Sequence, residues 1–453
     1  MIQTATTAVA HQNGLAGVEQ AAQVPARRPF PSRLFVEVTT RCNLRCTMCV
    51  KQTAGNGIAE GDLSLATFDA LAPAFPHLGS LVLSGIGEPL LHPGLEGFIR
   101  LARRALPASG WIGFQSNGLL LDEGRALSLV RAGLDRVCLS LDAVSPATFR
   151  RLREGGEVGA VDRGLAALSR AEAAAGRRID KGIEFVAMRD NVAELPEVLR
   201  WAARRGASFA LVTQVLPYDE RLVSQAAYDP NTDVAVEFFT PWRERARQEG
   251  VDLDRYFEVL WKYTKTLDEQ RIVNFVEQMK ADAHARDIFV NVQKILDRNE
   301  AWIERVQEIF CDATEAARQV GIELSLPEVV PHGDRRCDFV EDGGTFVSWD
   351  GKVHPCYFLW HGYRCLINGR EKFVTPRVFG DVAEQGILDV WNHPAYRSFR
   401  EGVIRYDYPF CSDCNLAKCC DYIQAEVFEQ DCYINFEPCG DCLWCKGVFR
   451  CLM

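Results

Sequence analysis

The stretch RCNLRCTMC occupies residues 41–49 and brings three cysteines, Cys42, Cys46 and Cys49, into one short loop. This C-x3-C-x2-C spacing supplies three thiolates, which suits three irons of a four-iron cubane and leaves the fourth iron without a protein ligand. An iron with a vacant position can bind a small molecule and pass it an electron, whereas a fully ligated cluster mostly only transfers electrons. The same cysteines could instead belong to a structural zinc site whose fourth ligand lies elsewhere. The spacing alone leaves both alternatives open.

The other cysteines are unevenly distributed along the chain. There are 17 in 453 residues, of which only Cys138 lies between Cys49 and Cys311, whereas twelve fall between Cys337 and Cys451. The N-terminus has neither the basic region nor the apolar run of a signal peptide, and no stretch approaches the ~18 apolar residues of a membrane span. We therefore expect a cytoplasmic protein without membrane contact, in which clustered cysteines are metal ligands rather than disulfides.

Size and charge limit the classes of function. A chain of 453 residues exceeds one compact domain, and its 47% hydrophobic residues suffice for buried cores. The 51 basic and 61 acidic residues give a formal charge of −10. Nucleic-acid binding requires a basic surface for the phosphates, so we expect no nucleic-acid partner.

Short β-like runs alternate with helical patterns in the first half of the chain. Several of the runs are nearly continuous in apolar residues, as expected for strands buried on both faces. The alternation predicts a parallel sheet, and six units predict a partial (β/α)6 TIM-like barrel that is open on one side. The predicted strands are 34–39, 80–84, 111–116, 136–141, 182–188 and 208–213, and the predicted helices are 64–75, 94–105, 122–132, 158–175 and 191–205.

Conspicuous polar residues follow the predicted strands. The cysteine loop follows the first, Gly85-Ile86-Gly87-Glu88-Pro89 the second, Ser116-Asn117-Gly118 the third and Ser140-Leu141-Asp142 the fourth. In barrels of this class, the rim at the carboxyl ends of the strands carries the chemistry. Four polar turns on one rim are difficult to explain by packing alone, so the sequence predicts an active site there.

The chain therefore divides into four predicted parts. Residues 1–30 form a flexible N-terminal arm, and residues 31–217 form the barrel. Residues 218–325 are a helical insertion, because long charged helices such as 299–320 replace the βα pattern. Residues 326–453 are a separate cysteine-rich domain.

On these motifs, the chain resembles the radical S-adenosylmethionine (SAM) superfamily, in particular members with a C-terminal SPASM domain. The resemblance covers about 33–215 and 337–451. It implies that Cys42, Cys46 and Cys49 hold a 4Fe-4S cluster whose open iron binds SAM. One electron then cleaves SAM to methionine and a 5′-deoxyadenosyl radical, which takes a hydrogen atom from the substrate.

The resemblance also implies the remaining cofactor-binding residues. The turn that receives the methionine ammonium of SAM corresponds to Gly85, Gly87, Glu88 and Pro89, here with Ile86 in the middle. Asn117 belongs to the same rim. Ser140 and Arg153 match the positions that meet the ribose and carboxylate of SAM, although a surface salt bridge is an equally good interpretation of Arg153.

In the C-terminal segment, the resemblance implies ligands for two auxiliary 4Fe-4S clusters. One cysteine of the family pattern is replaced by Gln424, so that Cys432 or one of the four terminal cysteines would substitute. An aspartate that acts as a base in sulfatase-maturing relatives is replaced by Tyr357, and we expect structural roles for Tyr357 and His354. The catalytic base is not identified. The predicted metal ligands here are Cys337, Cys356, Cys411, Cys414, Cys420, Cys432, Cys439, Cys442, Cys445 and Cys451.

Three functions remain as hypotheses. The leading hypothesis is a maturase that modifies a peptide or protein, with a low-potential ferredoxin or flavodoxin as electron donor. The second is maturation of a metalloenzyme or its cofactor, or oxidation of a small molecule. The third is a non-catalytic iron–sulfur electron carrier, which would not cleave SAM.

Overall fold

A computed structural model describes residues 25–53, 56–417, 420, 422 and 428–452. Most of the predicted flexible arm, residues 1–24, lies outside the described residues. Its last residues contact the C-terminal part of the chain, because the indole of Trp391 donates to the carbonyl of Arg28 at 2.8 Å and Arg400 donates to the carbonyl of Ala26 at 2.9 Å.

The strands begin with Arg33–Val36, in which Leu34, Phe35 and Val36 are fully buried, as the apolar run predicts. Each of the six predicted strands is present; the strand 111–116 has the predicted ends, and the ends of the others differ by at most three residues. The strands are β1 Arg33–Val36, β2 Arg45–Cys46, β3 Ser80–Val82, β4 Trp111–Ser116, β5 Arg136–Ser140, β6 Arg153–Glu154, β7 Asp180–Ala187, β8 Phe209–Gln214, β9 Glu323–Ser325, β10 Gly344–Val347, β11 Lys352–His354, β12 Tyr363–Ile367, β13 Arg370–Val374 and β14 Gly380–Asp381.

One sheet dominates the described part of the chain, with ten strands in the order β14-β11-β10-β1-β3-β4-β5-β7-β8-β9. The strands from β1 to β9 in this order are all parallel, which confirms the predicted α/β barrel class. The sheet continues beyond the six predicted strands at both ends. On one side β10 pairs in parallel with β1, with Phe35 opposite Phe346, and the cysteine-rich segment therefore shares the sheet of the barrel.

The predicted helices 94–105, 122–132 and 158–175 agree with the structure to within one residue, whereas 64–75 and 191–205 each divide into an α-helix and a 3-10 helix. Several of the helices have standard caps at their ends. For example, Asp122 caps the helix Glu123–Ala132 by accepting from the backbone of Arg125 at 2.7 Å, and Gly133 ends it with a φ of 113°. No helix among the described residues is long and apolar enough to cross a membrane. The α-helices are α1 Leu65–Asp69, α2 Leu95–Ala105, α3 Glu123–Ala132, α4 Pro146–Leu152, α5 Val158–Ala175, α6 Leu195–Ala203, α7 Glu220–Val223, α8 Asp233–Glu249, α9 Tyr256–Leu260, α10 Leu267–Ala285, α11 Val292–Leu296, α12 Glu300–Val320, α13 Asp338–Glu341, α14 Val382–Gln385, α15 Ile387–Asn392 and α16 Pro394–Arg405. Short 3-10 helices are Val50–Gln52, Ala72–His77, Pro89–Leu91, Val192–Glu194, Leu253–Arg255, Cys439–Asp441 and Trp444–Lys446.

The segment predicted as a helical insertion divides into two parts. Helices α8 to α11 enclose a core of their own, which includes Phe238, Phe275, Val276 and Ile295. Helix α12 instead packs against α6 and joins the core of the sheet, and β9 after it pairs in parallel with β8. The last part of the predicted insertion is therefore a further unit of the barrel.

Candidate active site

The cysteine loop follows β1 at the rim of the barrel. The short strand β2 in this loop pairs antiparallel with β6 and so holds the loop in place. Cys46 in β2 faces Arg153 in β6, and the backbone of Cys49 donates to the carbonyl of Cys46 at 3.0 Å. The three cysteines line one cavity of about 320 Å³. Burial raises the pKa of each thiol, for Cys49 to about 11. Such thiols ionise when a cation such as iron is present, so the donor set fits a thiolate-ligated cluster.

The Gly-Glu-Pro turn lines the same cavity and is fixed by the carboxylate of Glu88. This buried carboxylate accepts from the hydroxyl of Ser116 at 2.7 Å, the backbone of Asn117 at 2.8 Å and the backbone of Leu90 at 3.1 Å. Burial raises the pKa of Glu88 although these donors favour the charged form. Pro89 opens the 3-10 helix Pro89–Leu91 directly after the turn. The turn is thereby attached to the end of β4.

The two glycines of the turn are required by a close approach to the end of β1. A Cβ atom at Gly87 would lie 2.3 Å from the carbonyl oxygen of Thr39, and one at Gly85 would lie 2.3 Å from Cγ of Glu37. Only glycine fits at such distances. The sequence pattern located the turn but not the strand end against which it lies.

The other predicted cofactor residues, Asn117, Ser140 and Arg153, also line this cavity. Asn117 donates to the side chain of Asn43 at 2.8 Å. Arg153 is only 7% exposed, and its Nε lies 2.6 Å from the fully buried carboxylate of Asp142. Its guanidinium also approaches the sulfur of Cys46 at 3.7 Å. Arg153 thus forms a salt bridge, but a buried one rather than a surface one.

Several residues that sequence reasoning missed lie at the same site. Gln115 donates to Glu184 at 2.6 Å, and burial raises the pKa of Glu184 to about 7, although Arg153 opposes the shift. The side-chain oxygen of Gln214 is buried at the cavity without a hydrogen-bond partner among the described residues. The available signal was a polar side chain inside an apolar strand run, as at Glu184 in β7 and Gln214 in β8.

The C-terminal segment forms part of the wall of the cavity. It contributes Tyr357, Trp360, Trp444, Phe449, Arg450 and Cys451 to the lining. The backbone of Arg450 donates to the hydroxyl of Thr213 at 3.1 Å. In addition, the ring of His361 lies 3.1 Å from both carboxylate oxygens of Glu37, whose Oε1 also accepts from the backbone of Ile86 in the Gly-Glu-Pro turn. The segment thus contacts the part of the site that the sequence predicts for SAM.

The two residues for which we expected structural roles differ in position. His354 lies outside the cavity lining and is held by the carbonyl of Arg377 at 3.1 Å and the hydroxyl of Ser348 at 3.2 Å, and its burial lowers its pKa to about 4. Tyr357 lines the cavity but packs edge-on against Phe35 and Trp360, and burial raises its pKa well above the usual value. A phenol with this pKa is not a base at neutral pH.

The predicted C-terminal ligands form two groups in the described residues. We call Cys411, Cys414, Cys420 and Cys432 the outer cysteine group, because Cys411, Cys414 and Cys420 share a small apolar cluster with Phe428, and Cys432 interacts with all three. We call the remaining predicted ligands the inner cysteine group. Its members are Cys337, Cys356, Cys439, Cys442, Cys445 and Cys451.

The inner cysteine group adjoins the active-site cavity. Cys337, Cys356, Cys442 and Cys451 line a second, small cavity, and Cys451 lines the first as well. The hydroxyl oxygen of Tyr406 lies 2.7 Å from the sulfur of Cys445 and forms a hydrogen bond with it. Within the described residues, no group of three or more His, Cys, Asp or Glu side chains is arranged to hold a metal ion. The assignment of these cysteines to two auxiliary clusters therefore stays a prediction.

Comparisons with known proteins agree with the description of the barrel and with that of the cysteine-rich C-terminal segment. A family model for the radical SAM superfamily matches residues 36–202, and a model for the SPASM iron–sulfur cluster-binding domain matches residues 337–415. The tungsten-containing aldehyde ferredoxin oxidoreductase cofactor-modifying protein of Pyrococcus furiosus is 28% identical over 424 residues, which are 92% of this chain and 96% of that protein.

Two further similarities cover different extents of the chain. The PqqA peptide cyclase of Gluconobacter oxydans is 33% identical over 226 residues, 49% of this chain and 60% of that protein. Among solved structures, Streptococcus suis SuiB bound to precursor peptide SuiA matches with a TM-score of 0.51 at 13% identity. The match covers 97% of this chain and 82% of that one, and it supports the fold.

Proposed function

We propose that this chain, which belongs to the radical SAM superfamily and carries a C-terminal SPASM domain, is a maturase that modifies a peptide or protein. The substrate would enter the cavity between the barrel rim and the inner cysteine group. A low-potential ferredoxin or flavodoxin is proposed as its electron donor.

One observation carries the proposal. The cavity that Cys42, Cys46 and Cys49 line is also lined by Cys451, which belongs to the inner cysteine group. A substrate in this cavity would lie near both proposed iron–sulfur groups. A simple electron carrier needs no such cavity beside its centres, so the arrangement favours catalysis on a bound molecule.

The ligand assignments are part of the proposal. Cys42, Cys46 and Cys49 would hold the 4Fe-4S cluster. When bound there, this cluster supplies the electron that splits SAM into methionine and a 5′-deoxyadenosyl radical, which takes a hydrogen atom from the substrate. The buried thiols and the nearby Arg153 cation fit an anionic thiolate-held group, because opposite charge stabilises thiolates in a buried site.

Other residues of the rim would hold SAM. The turn at Gly85 and Gly87 lines the cavity, its close approach to the end of β1 holds it in place, and Glu88 fixes its geometry. Ser140 and Arg153 would meet the polar groups of SAM, as the family resemblance implies. Tyr357, Trp360 and Phe449 give the cavity an apolar lining, which would limit the access of water to a bound substrate.

A second substrate class is supported by one specific observation. The relative that matches over nearly the whole chain, including the helical insertion, is named as a cofactor-modifying protein of a tungsten enzyme. The relative named as a peptide cyclase matches about half of the chain. Modification of a metalloenzyme cofactor is therefore the alternative proposal.

The first experiment tests the chemistry. The protein is reconstituted anaerobically with iron and sulfide, reduced with dithionite and given SAM, and 5′-deoxyadenosine is measured. We expect Cys42→Ala to abolish 5′-deoxyadenosine formation while iron remains in the C-terminal segment. The matched control is Cys311→Ala, since Cys311 is exposed on α12. Cleavage of SAM by Cys42→Ala at the wild-type rate would disprove the assignment.

The second experiment decides the substrate class. Deuterated peptide candidates and a deuterated, metal-free form of the cofactor of a tungsten-containing oxidoreductase are each added to the reduced enzyme with SAM. Transfer of deuterium into 5′-deoxyadenosine, seen as a mass increase, identifies the molecule that loses hydrogen. Transfer from the cofactor and from no peptide would replace the leading proposal by the alternative.

A further inference from the structure

A buried group of charged side chains lies between the β12–β13 hairpin, helix α11 and the C-terminal segment. Its cations are Arg370 and Lys372 on β13, Lys446 in the C-terminal segment and Lys294 on α11. We call these four side chains the cation cage. Arg370, Lys372 and Lys446 are each at most 8% exposed, so their charges are removed from water.

The carboxylates in the cage do not balance these charges. Asp441 accepts from Lys372 at 2.6 Å and also from Arg370, while Asp413 pairs with Lys446. Lys294 contacts no carboxylate in the part of the chain that the structure describes, and its ammonium donates to the carbonyl of Ser412 at 3.0 Å. Four cations against two carboxylates leave two positive charges in excess among the described residues.

Two further observations point to a missing anion. One terminal nitrogen of Arg370, Nη1, is buried and has no hydrogen-bond partner among the described residues. Burial also lowers the pKa of Lys294 to about 7, although Asp413 opposes this. An unpaired buried cation is strongly unfavourable unless a negative group lies beside it.

The outer cysteine group lies next to the cage. Cys411 and Cys414 flank Ser412 and Asp413, which contact Lys294 and Lys446. The thiol of Cys411 is within electrostatic reach of Lys372 and Arg370. A four-iron cluster held by four thiolates carries a net negative charge, which grows on reduction. Such a cluster would therefore supply the negative charge that balances the excess positive charge of the cation cage.

We propose that the cation cage is the counter-charge of the iron–sulfur group held by the outer cysteine group and raises its reduction potential. The inference rests on the proposed ligand assignment of these cysteines. Positive charge in a buried site stabilises the reduced, more negative state of a neighbouring cluster, and cluster potentials depend on net charge and on hydrogen bonds to the sulfurs. Arg370 Nη1, which has no hydrogen-bond partner among the described residues, would be available as a donor to this group.

The test compares Lys294→Met, which removes a cage charge, with Lys294→Arg, which retains it. Lys294 is chosen because its loss leaves no buried carboxylate without a partner. The reduction potentials of the reconstituted full chain are measured by a potentiometric titration that is followed by low-temperature electron paramagnetic resonance. The control variant is Lys265→Met, on the loop before α10. We expect the midpoint potential of one auxiliary cluster, measured from its paramagnetic resonance signal, to become more negative in Lys294→Met. It should stay at the wild-type value in Lys294→Arg and Lys265→Met.

The outcomes separate this inference from the proposed function. The same midpoint potential in Lys294→Met and wild type would overturn the counter-charge role and leave the SAM chemistry of the Cys42 loop unaffected. Loss of the signal in Lys294→Met but not in Lys294→Arg supports the inference, because Lys294→Arg retains the positive charge that Lys294→Met removes. Loss in both variants overturns it, since the side chain would then act through packing. Unchanged iron content in Cys414→Ala would reject the ligand assignment and the inference together.

Discussion

The buried ion pair of Arg153 and Asp142 is the strongest electrostatic feature beside the cysteine loop. Burial alone would lower the pKa of Arg153, but Asp142, Cys46 and Glu184 together outweigh this and raise it, so the guanidinium is permanently charged. This fixed cation lies 3.7 Å from the sulfur of Cys46. The family resemblance pointed to Arg153, but not to its partner, because only the fold brings the end of β5 against β6.

Glu184 should make the stability of the protein depend on pH. The carboxyl of an unfolded chain ionises near pH 4.5, whereas in the folded protein burial raises the pKa of Glu184 to about 7. A raised carboxyl pKa contributes stability that is present below about pH 4.5 and is lost as the pH rises toward 7. We expect the free energy of unfolding of the wild type, minus that of Glu184→Gln, to decrease between about pH 4.5 and pH 7. Above pH 7 this difference should stay constant. Anaerobic urea unfolding between pH 4.5 and 8.5 measures the difference, and a difference independent of pH would contradict the assignment.

At the scale of secondary-structure elements, the site depends on how closely the Gly-Glu-Pro turn approaches the end of β1. Gly87→Ala would place a Cβ atom against a backbone carbonyl, which cannot move as a side chain can. We expect a loss of about 1–3 kcal/mol of stability and weaker SAM binding, measured by unfolding and by calorimetric titration. The matched control is Gly97→Ala in α2, where nothing lies within 4 Å and helix propensity predicts a gain of about 0.5–1 kcal/mol. Equal effects of both substitutions would contradict the steric argument.

Elements with a strong apolar pattern could be predicted from the sequence, whereas the partners of some of them could not. The six strands of the barrel were predicted because buried parallel strands leave continuous apolar runs. Helix α12 was predicted as a helix but assigned to the insertion, since its helical spacing is the same whichever core it packs on. Strand β9 was missed because it is three residues long and only Leu324 in it is apolar.

At the scale of the whole molecule, the boundary predicted between barrel and cysteine-rich domain does not divide the sheet. The cysteine spacings indicated which residues of the segment carry chemistry, and the structure groups them as inner and outer sets. The spacings gave no sign that β10 would pair with β1, more than 300 residues earlier, because pairing between distant strands leaves no local pattern. The shared sheet explains how the segment reaches the active-site cavity.

The shared sheet predicts which parts of the molecule unfold together. β1 and β10 are hydrogen-bonded neighbours in one core, so opening one exposes the other, whereas α10 belongs to the separate core of the insertion. We expect native-state hydrogen exchange, followed by mass spectrometry in rising denaturant, to give one opening free energy for residues 33–36 and 344–347, equal to that of the barrel strand β4. Residues 267–285 should open independently and at lower free energy. Exchange of 344–347 before 33–36 would instead mean that the C-terminal segment unfolds as a domain of its own, and that closure of the active site can be lost while the barrel stays folded.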